Sequence, residues 1–430
     1  MTKGCLGLML ALVLGTGAAN AAVYRVANDA QLATALQQAV EEDELVLEPG
    51  VYAPFTIEKE ITVRGEGEVI VDAKGKGSGV TVKSAYVKLK DLHIRNFGSD
   101  LYERDAGVRV WQHKNYVHLE NLTIEGPGFG IRADSMGSLT VKNCSVRGDA
   151  SRHILDRGDG IYAKYVTNLK VFDSRFVRTR DGIYIENVDG SEFVGNYFSQ
   201  AQYGIHWMYS RNSKAVKNRA ENVLGAWAVM STNRADVYDN VSYDTVEFGI
   251  LLNVADACRI KNNRVYDVHN PRGQKLLDTE GKGLFIYGPG VNQITKNLFS
   301  TSDVGIGLAM SGESNQIWEN AIVDNKVQVR YVGEAPLQWS RKGKGNYWSS
   351  YLGWDLNHDK IGDKPYQPND SLDRIFWIYP EAQFLMDSPV VALLRWLADQ
   401  FEIDRGKGVT DSYPLMLSPI TYEGRRDAHR

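Results

Sequence analysis

A phrase built around glycine returns through the middle of this chain at a nearly constant interval, and no other feature narrows the possible folds so far. It reads Asp159, Gly160, Ile161, Tyr162, then Asp181, Gly182, Ile183, Tyr184, then Tyr203, Gly204, Ile205, His206, and later Phe248, Gly249, Ile250, Leu251. Shorter copies stand at Lys282, Gly283, Leu284 and at Val304, Gly305, Ile306, with Ala226 and Trp227 holding the slot between. The steps from Gly160 to Gly182, Gly204 and Ala226 are 22 residues each, and the next, to Gly249, is 23. A second phrase keeps time with the first and ends in Asn196, Asn218, Asn240, Asn263, Asn297 and Asn320. A period this short cannot fold alone and carries no helical signals, so each copy is one coil of a solenoid. The expected fold is all-β: a right-handed parallel β-helix with coils of about 22 residues.

Alternation within a coil sets its registry, because successive strand residues face opposite sides. Ile161, Ile183, Ile205, Trp227, Ile250, Leu284 and Ile306 form one inward column, and Ala163, Ile185, Trp207, Val229, Leu252, Ile286 and Leu308 the next. Between them, facing solvent or a partner, fall Tyr162, Tyr184, His206, Ala228, Leu251 and Phe285, and beyond them Lys164, Glu186, Met208, Met230, Asn253 and Tyr287. Asn at a coil corner tolerates the left-handed conformation and can bond its counterpart one coil away, so the Asn phrase is read as structural.

Residues 1–21 have the form of a secretory signal: Lys3 early, an apolar run from Leu6 to Leu14, and Ala19, Asn20, Ala21 at the cut. The mature protein is expected to be soluble and exported by a Sec-type route to the periplasm, with no direct membrane span. A net charge of -4 gives no support to nucleic-acid binding. Cys144 and Cys258 lie several coils apart, which is too far to pair, and read as buried apolar residues.

Residues 22–54 read as an N-terminal cap, since Asn28 opens a helix with Leu32, Leu36 and Val40 on one stripe. Coils are expected from Phe55 and the β-helix over 55–338. Gly130 to Gly160 and Gly249 to Gly283 are lengthened to 30 and 34 residues. Both insertions fall between an Asn phrase and a Gly phrase, so two loops leave the solenoid on one side, carrying His153 and His269. On the shelf between them stand His206 and Met208, two residues apart, with Met230 in the Met208 column one coil later. Imidazole with thioethers is a soft donor set that suits Cu(I). The same residues also read as a partner-facing apolar patch. Asp159 and Asp181, on adjacent coils, are either an acid/base pair of the kind a polysaccharide lyase or uronate C5-epimerase needs, or turn formers before Gly.

From 339 to 430 a different, aromatic-rich region follows. Asp355, Asn357 and Asp359 have the odd spacing of a calcium loop, yet Lys360 replaces the expected Gly and no Glu closes it at Tyr366, so calcium is not expected. Pro389 to Phe401 reads as a helix with Val390, Leu393, Leu394 and Leu397 on one stripe and Trp396 beside it, either a C-cap or an anchor for another protein.

Gly345 to Trp348, Tyr351 to Asp355, Ile361 to Tyr366, the helix with Arg395, Trp396, Leu397, Gln400 and Phe401, and the ending Asp411 to Met416 closely resemble the NosD family, periplasmic copper-related maturation proteins of nitrous oxide reductase. So do the repeats with His206, Trp207, Met208, Tyr209, Ser210 and with Gly249 to Asn253. The likeness covers nearly all of the mature chain; Lys360 departs from it, where family members commonly have Gly. The resemblance implies a non-enzymatic protein that works with an ATP-binding cassette permease and its ATPase and with a membrane-anchored copper chaperone. It implies the assembly of the copper centres of apo nitrous oxide reductase as the task. On that footing His206, Met208 and Met230 are favoured to handle copper, as a transient Cu(I) cargo, with His153 and His269 as secondary candidates. The tail helix becomes the candidate for docking to the permease.

Overall fold

The computed structural model describes residues 21–113, 115–274, 279–331, 333, 335–369, 385, 388–400 and 408–421. The leader region, residues 1–20, and position 401 of the expected tail helix lie outside them. Parallel strands wind into a right-handed β-helix of two large sheets, one of 24 strands and one of 13. The larger has two parts, joined where the long strand Ile161–Phe172 turns a corner. We call its Gly-phrase part the front, exemplified by Tyr203–Met208 and Gly225–Met230, and its other part the side, exemplified by Arg211–Val216. The 13-stranded sheet, with strands such as Tyr197–Ser199, is the back.

The inward columns are those the alternation dictates. Ile161 pairs with Ile183, then Ile205, Trp227, Ile250, Leu284 and Ile306 in unbroken register, and all are fully buried. Glycine recurs in the phrase because space demands it. At Gly182 a Cβ would lie 2.2 Å from Phe198 Cδ1 and 2.6 Å from the Gly204 carbonyl oxygen, so any side chain would force the coils apart.

The Asn phrase forms a single hydrogen-bond chain. Asn196 donates through both its backbone N–H and its Nδ2 to Asn218 Oδ1, and the pattern repeats through Asn240, Asn263, Asn297 and Asn320 to Asn346. The left-handed conformation expected of these Asn residues belongs instead to the residue before each: Gly195, Lys217, Asp239, Asn262, Lys296 and Glu319 have φ of 69, 56, 56, 56, 54 and 54°. The corner bends there, and the Asn that follows is freed to turn its amide inward and satisfy buried backbone groups.

Coils start earlier than Phe55. Val23–Val26 pairs with Glu44–Leu47, which pairs with Thr62–Gly65, so the expected cap already contains solenoid strands. Helix α1 (Asp29–Gln38), opened by the Asn28 side chain accepting from the Gln31 N–H, is an insertion between two of them. Its buried face is Leu32 and Ala35, while Val40 is exposed, because the helix ends before reaching it. At the other end the coils run past 338, since Tyr347–Trp348 pairs with Ala321 and Ile322.

Trp339 and Trp348 then stack at 6.2 Å, Tyr366 packs on Trp348, and Leu337–Gln338 pairs with Val409–Thr410, which closes the core. In helix α2 (Pro389–Gln400) Val390, Leu393, Leu394 and Trp396 are exposed and, among the described side chains, only Val391 is buried. No helix among the described residues is long and apolar enough to cross a membrane. Cys144 and Cys258 are buried free thiols, which burial pushes up to about 12 and about 11.

Candidate metal-handling face

The front sheet carries the proposed shelf, and its outer columns are far less open than alternation alone implies. Arg109, Arg132, Tyr162, Tyr184, His206, Ala228, Leu251 and Phe285 follow one another coil by coil. Of these, Ala228 and Leu251 are buried among Phe248, Tyr203, Met230 and Phe285, and His206 is only 9% exposed. The outward column is roofed by rings from the neighbouring column rather than left to solvent.

His206 is held on several sides. Its Nδ1 donates to Asp181 Oδ2 at 2.9 Å. Tyr184 and Tyr203 meet its ring edge to face at 4.9 and 5.1 Å between centroids. A carboxylate can only accept, so Nδ1 carries the proton and, in the neutral form of the ring, the lone pair falls on Nε2. That Nε2 is buried with no hydrogen-bond partner among the described residues. Met208 is half-buried on the same strand face, and Met230, paired with it one coil on, packs against Ala228, Phe248 and Leu251. The structure therefore brings His206, Met208 and Met230 to one patch.

The other two histidines stand elsewhere. His153 is exposed, and its Nδ1 accepts from the Leu155 N–H in the first insertion, two coils before His206. His269 opens the second insertion, three coils beyond, where its Nδ1 donates to Asp303 Oδ1 at 3.0 Å. Asp303 also accepts from the Asn270 and Gly281 N–H groups and from Lys326 Nζ, and so clamps both ends of that loop. Burial would raise the Asp303 carboxyl, but these donors hold it below its ordinary value. With coils about 4.8 Å apart, neither histidine reaches His206. Among the described residues no group of three or more His, Cys, Asp or Glu could hold a metal ion.

Asp159 and Asp181 do stack on adjacent coils, but each is committed. Asp159 is fully buried, accepts from Arg180 at 2.9 and 2.7 Å and from the Asp181 N–H at 3.0 Å. Burial raises its carboxyl, with Arg180 opposing. Asp181 accepts from Tyr203 N–H and His206. Sequence reasoning missed Asp181 as the imidazole's partner because the two are 25 residues apart, on a diagonal between columns. In the tail, the oxygens of Asp355, Asn357 and Asp359 accept from backbone N–H groups of their own loop, those of Asp359, Lys360 and Ile361.

Solved structures of similar shape share the fold alone. An alginate lyase superposes with a TM-score of 0.55 at 16% identity, covering 78% of this chain and 89% of that one. A DFA-IIIase from Arthrobacter chlorophenolicus A6 gives 0.52 at 12%, covering 77% and 100%. Sequence relatives are nearer. "Probable ABC transporter binding protein NosD" of Stutzerimonas stutzeri is 35% identical over 85% of this chain and 84% of its own length. The protein of the same name from Pseudomonas aeruginosa is 36% identical over 87% and 88%. The profile of the family described as "Periplasmic copper-binding protein (NosD)" matches residues 141–353, the span that holds the Asn chain, Asp181, His206, Met208 and Met230. The chain belongs to the NosD family of periplasmic copper-binding proteins.

Proposed function

We propose that this protein is a periplasmic accessory factor in assembling the copper centres of nitrous oxide reductase. It would receive Cu(I) as cargo from a copper chaperone and act beside an ATP-binding cassette permease and its ATPase. The observation that carries the reading is the His206 imidazole: oriented through Nδ1, bare at Nε2, and set beside two thioethers. A soft ligand set of this kind suits Cu(I) held transiently more than a hard divalent cation. The two relatives' shared name supports a transporter partner. Helix α2, with four exposed apolar side chains on a short amphipathic segment, is the element we assign to docking on the permease.

A lyase or epimerase reading has the shape of the fold behind it and little else. Such chemistry needs an available acid, base and cation along the front face. Four of the cations there are paired with carboxylates, Arg132 with Asp134, Lys164 with Glu186, Arg180 with Asp159 and Arg330 with Glu280, and Arg109 donates to the Glu103 carbonyl. The decisive experiment is anaerobic Cu(I) titration of the mature protein against a competing chelator, in parallel with a variant carrying His206→Ala, Met208→Ala and Met230→Ala. Tight binding that disappears in the variant is expected. Equal affinity in the two proteins would sink the shelf as a copper site.

A further inference from the structure

A ligand atom that is buried and yet has no partner poses two physical questions: what keeps it bare, and how an ion would reach it. Leaving a buried nitrogen unsatisfied costs on the order of 1–3 kcal/mol, a cost that a bound cation would remove. The front sheet answers both questions with residues outside the shelf trio. Asp181, one coil before His206, takes the Nδ1 proton. Tyr203 meets the imidazole in a T-shaped contact, 5.1 Å between centroids, and meets the Phe248 ring at 5.2 Å. The residue between them in the column is Gly225, which pairs with both. A Cβ there would fall 2.3 Å from Phe248 Cε2, so the absent side chain is what lets the two rings close. The Tyr203 hydroxyl is in turn held by the Glu247 carboxylate.

We propose that His206 Nε2 is a gated copper ligand, with Asp181 fixing its tautomer and the Tyr203–Phe248 pair, closed across Gly225, forming the lid that lifts to admit the ion. This rests on the copper reading of the shelf and adds two roles to it. Asp181 is a positioning residue: it touches no metal but acts through the ring, as a carboxylate behind a metal-bound histidine does. Tyr203 and Phe248 control rate rather than affinity, because they shield the atom without binding what it binds.

The test uses the full mature protein with Cu(I) itself as probe and three readouts. Nitrogen-15 NMR of the copper-free protein reads the His206 tautomer; chelator competition reads affinity; stopped-flow extraction by excess chelator reads access. The wild type is expected to carry its proton on Nδ1. Asp181→Asn, which retains a carbonyl to accept from the Tyr203 N–H, should lose that preference and bind Cu(I) roughly 10–100-fold more weakly. Tyr203→Ala and Gly225→Ala should release copper about tenfold faster or more, with affinity little changed. A wild-type proton on Nε2, or an Asp181→Asn variant that keeps full affinity while His206→Ala loses it, would overturn the role of Asp181. Unchanged extraction rates in both lid variants would overturn the gate. Affinity retained by His206→Ala would instead remove the copper site itself, a separate outcome from either.

Discussion

The Asn corner and the front face bury polar groups in the same solenoid and treat them in opposite ways. Along the corner, Asn240 is wholly buried: its Oδ1 accepts from the Asn218 N–H and Nδ2, its Nδ2 donates to the Ala215 carbonyl and to Asn263 Oδ1, and its N–H donates to Asn263 Oδ1. On the front face His206 is almost as deeply placed, and one of its two nitrogens has no partner among the described residues. On the copper reading proposed above, the difference is that between a residue kept for the fold and one kept for what it can bind.

The comparison breaks most visibly at the corner. Asn240→Ala would strand the Asn218 N–H and Nδ2 and the Ala215 carbonyl in the interior, each an orphan costing about 1–3 kcal/mol. The expected loss is about 4 kcal/mol, read as a lower denaturant midpoint. His206→Ala strands nothing at Nε2, only the Asp181 Oδ2 that the ring bonds through Nδ1, one orphan against three, and should cost less. If the two substitutions destabilised equally, the bare nitrogen would be no sign of function.

The end of the corner chain is the next place to press. Every amide donates toward the C-terminus, so the last, Asn346, needs an acceptor, and Asp411 supplies it. Asp411 Oδ2 takes the Asn346 N–H at 2.6 Å and Trp348 Nε1 at 2.8 Å, and Oδ1 takes the Tyr413 N–H at 3.1 Å. A carboxylate suits the acceptor end of aligned dipoles, yet burial still pushes it up to about 6 despite those donors. Asp411→Ala should cost about 3 kcal/mol and expose the segment from 408 to 421 to proteolysis first, ahead of the coils. The sign of the pH effect follows from the raised folded value. The contribution of Asp411 is fully present below its ordinary value near 4, falls as pH rises toward about 6, and is flat above. Hydrogen exchange at Tyr413 across that range checks it, and Asp411→Asn should abolish the slope.

What could be read from residues alone was whatever repeats in a column. The Ile161 to Ile306 column and the Asn chain obey one period, and so their register and their partners follow from spacing. The bends of the same corner do not: the left-handed positions hold Gly, Lys, Asp, Asn, Lys and Glu, a set with no common chemistry, because the constraint there falls on the backbone and the side chain points out. Diagonal and distant relations were equally hidden. Asp181 meets His206 across columns, the roof over His206 depends on a glycine one coil away, and Asp411 closes a chain that ends 65 residues earlier. The start of the coils was concealed by helix α1 standing between two strands that pair as neighbours. The family resemblance and the shared strand face of His206, Met208 and Met230 were legible; the hydrogen-bond partners of the imidazole were not.

The smallest effect sharpens the comparison at the rim of the front face. Each coil turns from front to side through a left-handed residue, at Asn187, Tyr209, Ser231, Val254 and Gly288 in turn. Val254 is the outlier, since a β-branched side chain at φ 51° crowds its own backbone, and it is 46% exposed, so burial does not compensate. The following coil accommodates it only because Gly288 stands there, where a Cβ would come within 3.0 Å of Val254 Cγ2. Asn at this position adopts the left-handed region readily, so Val254→Asn should stabilise the protein by about 1 kcal/mol. If the strain is tolerated because Val254 extends the apolar rim beside Met230 and Tyr287, the stabilised variant should also bind its partner more weakly while its Cu(I) affinity stays unchanged. A stability gain with partner binding intact would confine the functional part of the front face to the roofed patch around His206. No gain at all would mean the corner bends of this solenoid are as tolerant of side chain as the sequence at them is varied.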